Sequence, residues 1–306
     1  MICHHRPSLP KINLCNRILN ACKKLSCISA TKVHGHESPA VGGKRICGSS
    51  RGWLIVADKT SAITLENPLR GLKIQLPPFC PAAGKQELVH KAILSSDPET
   101  QEQDYSVMII YGENRELARY DSGNKTWTML QEAGSFYDDI ISHKINFYAV
   151  DGYGRVVRCE KSNVKEIAGP WFFKGNRVYL VVIEEQLSLI IRHWKNNPVS
   201  GQKITHKFEV YDLDGPENWV HTDLDGWSVF VGQNQSLAVR VAGSNILKGN
   251  CIYFTDDNGD LHKNSITDGR DQGVFDVEDE TISSLRCYLQ DFPPRGVWPQ
   301  SIWLEK

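Results

Sequence analysis

A short phrase recurs in this chain: an apolar run of β type, an aromatic–Asp turn, and a Trp or Ile about seven residues further on. It reads Leu117-Ala118-Arg119-Tyr120-Asp121 with Trp127 and Leu130, and again Phe208-Glu209-Val210-Tyr211-Asp212 with Trp219 and Leu224. A weaker copy is Gly273-Val274-Phe275-Asp276 with Ile282 and Leu285. Each copy reads as two antiparallel strands around a polar turn. Self-similarity at long period marks a repeat architecture, in which each unit needs its neighbours to bury its faces. Tyr120 and Tyr211 stand 91 residues apart, the length of two propeller blades of about 45 residues each, in the manner of kelch-like repeats.

The strand pattern agrees. Trp53 to Val56, Tyr105 to Tyr111, Phe147 to Val150, Val178 to Ile183, Leu187 to Ile191, Leu237 to Val241 and Ile252 to Phe254 are short and rich in β-branched or aromatic residues. Turn signals separate them, among them Asn67-Pro68, Asp121-Ser122-Gly123-Asn124, Asp151-Gly152, Asn197-Pro198 and Asp214-Gly215-Pro216. The expected fold is all-β, a propeller-like domain of about five four-stranded blades spanning 46–306. The repeat Trp and Tyr are expected to fill the space between blades rather than to form a ligand cage.

Residues 1–45 differ in kind. Residues 1–51 hold nine Lys or Arg and one acid, Glu37, whereas the remainder is acidic by nine. All 28 Phe, Tyr and Trp lie from Trp53 onward, and five of the nine Cys lie before Gly48. Ile12, Cys15, Leu19 and Cys22 recur at helical spacing, so this basic segment is expected to be poorly ordered or partly helical. Thr31 to Gly43 reads as a linker. The odd Cys count, with no apolar signal segment, points to reduced thiols in the cytoplasm or nucleus. No stretch approaches the roughly 20 apolar residues of a membrane span. Balanced overall charge gives no pull toward nucleic acid or a membrane surface.

Several ordered phrases carry a family resemblance. They are Cys47-Gly48-Ser49-Ser50-Arg51-Gly52-Trp53-Leu54, Asn67-Pro68-Leu69, Ile74-Gln75-Leu76-Pro77 and Lys91-Ala92-Ile93-Leu94-Ser95-Ser96, followed by Phe147 to Asp151, Gly249 to Phe254 and Gly273-Val274-Phe275. From about Lys44 to Trp298 the chain resembles the plant F-box family whose C-terminal domain is a KIB-type β-propeller. That resemblance implies a substrate receptor of an SCF-type E3 ubiquitin ligase. An N-terminal F-box would hold a Skp-type adaptor, and the propeller would present a target protein, a signalling kinase in some relatives, for ubiquitination. It implies no catalytic residue and no cofactor. The chain departs from the pattern at its start. Ser8-Leu9-Pro10 is a faint echo of an F-box opening, no Trp precedes Trp53, and the strand pair expected before the Cys-Gly-Ser-Ser phrase is not recognisable. The alternative is a stand-alone binding propeller, a competitor or decayed copy without ligase activity.

Other motifs read as decoys. Gly48-Ser49-Ser50-Arg51-Gly52 fits the G-x-S-x-G elbow of a hydrolase with Ser50 as nucleophile and His193, His206 or His221 as nominal bases, but it lacks the strand–turn–helix context. Asp256, Asn258 and Asp260 begin like a calcium loop, yet Leu261 and Thr267 occupy the positions of the required Gly and Glu. Cys3, His4, His5, Cys15, Cys22, Cys27, His34 and His36 can ligate metal but lack the spacing of a zinc site. Asn124-Lys125-Thr126 and Asn234-Gln235-Ser236 are glycosylation sequons read as turns. No metal, cofactor or catalytic residue is assigned. Asp138-Asp139 and His193-Trp194-Lys195 are read as loop residues within reach of a partner, and the partner-binding residues stay unknown.

Overall fold

The computed structural model describes residues 45–58, 60–79, 88–100, 104–161, 163–171, 173–198, 201, 203–215, 218–241, 247–255, 257 and 271–284, with the backbone of strands within 15–37. These three strands, β1 (Cys15–Arg17), β2 (Lys24–Ser29) and β3 (Lys32–Glu37), form an antiparallel sheet. They correct two expectations. Cys15–Arg17 is a strand paired with Leu25 to Cys27, not part of a helix. An antiparallel strand pair, β2 with β3, does precede the Cys-Gly-Ser-Ser phrase.

Five sheets follow, arranged as the blades of a propeller. Blade 1 is β4 (Arg45–Ser50), β5 (Trp53–Ala57), β6 (Ile63–Asn67) and β7 (Leu72–Gln75). Blade 2 is β8 (Val89–Leu94), β9 (Ser106–Tyr111), β10 (Glu116–Asp121) and β11 (Thr126–Met129). Blade 3 is β12 (Tyr137–His143), β13 (Asn146–Asp151), β14 (Val156–Cys159) and β15 (Val164–Ala168). Blade 4 is β16 (Arg177–Ile183), β17 (Gln186–Asn196), β18 (Lys203–Leu213) and β19 (Trp219–His221). Each of these is an antiparallel meander in sequence order. Blade 5 holds β20 (Trp227–Val231), β21 (Leu237–Arg240), β22 (Cys251–Phe254), β23 (Gly273–Asp276) and β24 (Thr281–Ser283) in the order β21-β20-β22-β23-β24. Its β20–β22 pair is parallel.

The recurring phrase is the third strand, turn and fourth strand of blades 2 and 4, and the matching outer hairpin of blade 5. Tyr120 faces Trp127 across β10 and β11, and Phe275 faces Ile282 across β23 and β24. The 91-residue interval therefore does span two blades. The repeat aromatics pack between blades. Phe79, Tyr111, Tyr120 and Trp127 meet at centroid distances of 4.8 to 5.3 Å in a cluster shared by blades 1 and 2. Phe208 meets Phe254 at 5.2 Å and Phe275 at 5.6 Å between blades 4 and 5. Each ring so buried contributes about 2–3 kcal/mol of transfer free energy.

The first strands of successive blades pack on one another: β4 on β8, β8 on β12, β12 on β16, with β21 next to β16. They line the axis, which is why they are buried on both faces. A shared irregularity marks the start of three of them. The register slips at Cys47 in β4, His90 in β8 and Asp138 in β12. A bulge of this kind re-aims the residues after it. Here those residues are Gly48, Lys91 and Asp139. At Gly48 a Cβ would lie 1.9 Å from the carbonyl oxygen of Ala92, so only glycine allows β4 to approach β8 this closely.

Candidate binding surface around a filled axis

Asp138 and Asp139 are not loop residues. Both are buried on β12, because alternating side chains of an axial strand reach two neighbours at once. Asp139 points toward blade 2, where Lys91 Nζ bonds its carboxylate, and Oδ2 accepts from the Leu180 amide at 2.9 Å. Asp138 pairs with Arg115 at 3.0 Å and accepts from the Val178 amide at 3.2 Å. Burial pulls the Lys91 ammonium and the Asp139 carboxyl toward their neutral forms, and the direct bond between them opposes this.

A second buried network joins blades 4 and 5. Arg192, wholly buried on β17, lies 3.0 Å from Asp257 and 2.9 Å from Asp271, and donates to Thr205 Oγ1 and the Thr255 carbonyl. Asp257 also lies 3.2 Å from Arg177 and accepts from the Tyr179 hydroxyl at 2.9 Å. Burial works against both arginine charges, but Asp257 for Arg177, and Tyr179 with Asp257 for Arg192, outweigh it. His90 on β8 donates through Nε2 to the Gly112 carbonyl at 2.8 Å. Burial first, then the nearby Arg115, Arg45 and Arg177, push its pKa down to about 4.

The axis itself is filled by protein. Residues 232–236, Gly-Gln-Asn-Gln-Ser between β20 and β21, enter it and bond three blades. Lys91 Nζ donates to the Gly232 carbonyl at 3.0 Å, and Gln233 Nε2 donates to the carbonyls of Cys47, at 2.9 Å, and His90. The Gln235 amide donates to the Ser49 carbonyl at 2.9 Å and its side chain to the Ser142 carbonyl at 3.2 Å. Ser236 Oγ donates to Asp139 at 3.2 Å. These bonds tie the last blade to the first. A cavity of about 420 Å³ is lined by Gln235 and Ser236 together with Glu184, Glu185, Trp227 and Arg240.

The other sequence candidates separate in space. Ser50 ends β4, and a turn leads straight into β5, so the G-x-S-x-G phrase is strand–turn–strand and no nucleophile elbow. Ser50 Oγ donates to the Leu94 carbonyl at 3.4 Å and Gln235 Oε1 at 3.2 Å, and no His is among these partners. His193 and Trp194 lie on β17, not in a loop. His193 bonds Glu209 at 2.9 Å, and His206 bonds the His193 carbonyl at 3.1 Å. Asn124 lies in the exposed β10–β11 turn, whereas Asn234 is 2% exposed, which leaves no room for a glycan. The Asp256–Asp260 motif, apart from Asp257, and the side chains of the Cys/His head lie outside the described residues. Among the described residues no group of three or more His, Cys, Asp or Glu is placed to hold a metal, and no helix is long and apolar enough to cross a membrane. Sequence reasoning missed the segment that fills the axis. Its signal was present, an uncharged amide-rich run between two strands, but the only motif it matched was a sequon.

Comparison with known proteins agrees with this architecture. The sequence model of the KIB1-4 beta-propeller matches residues 24–276, which includes β2 and β3. A putative F-box protein of Arabidopsis thaliana, At5g55150, is 25% identical over 275 residues, covering 85% of this chain and 73% of that protein. F-box protein SKIP23 of the same plant is 27% identical over 217 residues, covering 61% of this chain and about half, 51%, of its own length. Among solved structures, a chain of a nidogen/laminin complex superposes with a TM-score of 0.50 at 11% identity, covering 95% of this chain and 96% of that one, a likeness of fold alone. By the extent of the family match, the chain belongs to the KIB1-4 β-propeller family.

Proposed function

We propose that this chain is a protein-recognition module acting as substrate receptor of an SCF-type E3 ubiquitin ligase. The observation that carries the reading is the family match over residues 24–276 together with the two F-box relatives. Residues 46–306 would hold the target, and residues 1–45 would meet a Skp-type adaptor. The mechanism is scaffolding: the ligase raises the effective concentration of ubiquitin-loaded enzyme near lysines of the bound target. Work in the cytoplasm or nucleus fits this role.

A second reading is a stand-alone binding propeller without ligase activity. Capture on an immobilised Skp-type adaptor separates the two. The receptor reading expects the full chain to be retained at micromolar concentration and lost when Leu9 and Pro10 are both changed to Asp. No retention of the full chain supports the stand-alone binder.

A further inference from the structure

Alternation along each strand and pairing across strands divide the sheet β1-β2-β3 into two faces. One face carries Ile28 opposite Val33 and Lys24 opposite Glu37. The other carries Cys27 on the central strand, with His34 directly opposite it on β3 and Cys15 directly opposite it on β1. His36, two residues beyond His34, shares that face. Leu25, Ile28 and Val33 are the only aliphatic residues of the three strands, and no aromatic residue precedes Trp53. Burial of its own faces therefore stabilises this sheet little, and small units of that kind draw on a metal or a disulfide instead.

Along the chain, the Cys and His of residues 1–36 lack the paired spacing of a zinc finger. Strand register supplies what spacing does not. Cross-strand partners of an antiparallel pair have Cα atoms about 4.5–5.5 Å apart, and residues i and i+2 of one strand stand about 6.7 Å apart. Cys27, His34 and His36 thus occupy the corners of a small triangle on one face of the sheet. With Zn–S about 2.3 Å and Zn–N about 2.0–2.1 Å, one thiolate and two imidazoles are long enough to share an ion above such a triangle. Cys15 is outside it. Two strand spacings, about 10 Å, separate β1 from β3, too far for one ion to join Cys15 to both histidines. A thiolate with two imidazoles is a borderline-soft donor set, suited to zinc and unsuited to calcium or magnesium, which take oxygen.

We propose that Cys27, His34 and His36 bind one zinc ion, which staples β2 to β3 ahead of the propeller in the chain. The fourth tetrahedral position falls to water or to a group outside these strands. Binding releases the Cys27 thiol proton to solvent, and both imidazoles bind in the neutral form. The inference goes beyond the proposed function and does not depend on it.

The test loads the full chain with zinc under reducing conditions, removes loose metal by gel filtration and counts the zinc that remains by mass spectrometry. The proposal expects about one zinc per chain. Cobalt in its place is expected to show the d–d bands of a four-coordinate site and a thiolate charge-transfer band. Cys27→Ser, His34→Asn and His36→Asn should each weaken zinc binding by more than about tenfold, because losing even a hydrogen-bond partner of a ligand costs about 10–100-fold. Cys15→Ser should keep the native zinc content. That variant separates the zinc site from its main rival, a disulfide between Cys15 and Cys27, whose cross-strand pairing lies within disulfide reach. Thermal midpoints of the metal-free proteins check that the propeller stays folded in every variant. A native chain that holds no zinc, zinc retained in Cys27→Ser or in either His variant, or zinc lost in Cys15→Ser overturns the proposal. Zinc counting needs neither adaptor nor target. A chain that binds adaptor but no zinc contradicts this inference alone, and the converse contradicts the ligase reading alone.

Discussion

Asp139→Ala is expected to cost about 3–5 kcal/mol of folding stability, the largest single-residue effect argued from this structure. The reason is the partner left behind. Lys91 is 1% exposed, and without the carboxylate its ammonium keeps, among the described residues, only the Gly232 carbonyl as an acceptor. Three further donors, the amides of Ile140 and Leu180 and the Ser236 hydroxyl, also lose their acceptor. The ion pair itself is not what makes the change severe. A Lys91→Met/Asp139→Leu double variant removes both charges together, and buried pairs so replaced are often neutral or stabilising. Chemical denaturation of the single and double variants separates these effects. The double variant should recover the part of the loss that comes from the unpaired Lys91 ammonium, while the Ile140 and Leu180 amides and the Ser236 hydroxyl stay without their acceptor. A double variant as unstable as Asp139→Ala would show that the axis depends on the polar network itself.

The second large effect is a loss of stability in mild acid, traced to His90. Its folded pKa of about 4 lies below the ordinary value of 6.5 because the ring is buried beside arginines. The unfolded chain therefore binds this proton more readily than the folded one. The contribution is fully present above about pH 6.5 and is lost as pH falls toward 4. Discounted for the part of the ring that stays solvated, it amounts to roughly 2 kcal/mol. Carboxylates titrate in the same window, so the measurement is a comparison. His90→Gln should match the native chain at pH 7.5 and lose about 2 kcal/mol less between pH 6.5 and 4. Parallel stability curves for the two proteins would remove His90 as the cause.

Much of the fold could be read from local sequence. Val178 to Ile183 and Ile252 to Phe254 are strands in the sequence reading and in the structure, because β-branched and aromatic runs bounded by turn residues have few other outlets. The Tyr-Asp turn and its Trp gave the blade period, since one blade must bury its aromatics on the next. What failed locally was the axis. Two adjacent acids at Asp138 and Asp139 look like a solvated loop until Arg115 and Lys91, 23 and 48 residues earlier in the chain, are brought against them. Asn234-Gln235-Ser236 reads as a turn for the same reason, because the acceptors of Gln233 and Gln235 lie on blades 1, 2 and 3. Cys15–Arg17 shows the opposite error: helical spacing over a few residues yields to pairing with β2.

The central claim is that residues 232–236 fill the axis, so that recognition falls to the outer faces of the blades. Hydrogen exchange on the full chain tests it most directly, at the Gln235 amide that donates to the Ser49 carbonyl and at its neighbours. The filled axis predicts that the peptide covering 232–236 exchanges as slowly as those covering β8 and β12, on the timescale of global opening. Exchange within seconds, at the rate of an exposed loop, would contradict it and return an open channel to the centre of the molecule.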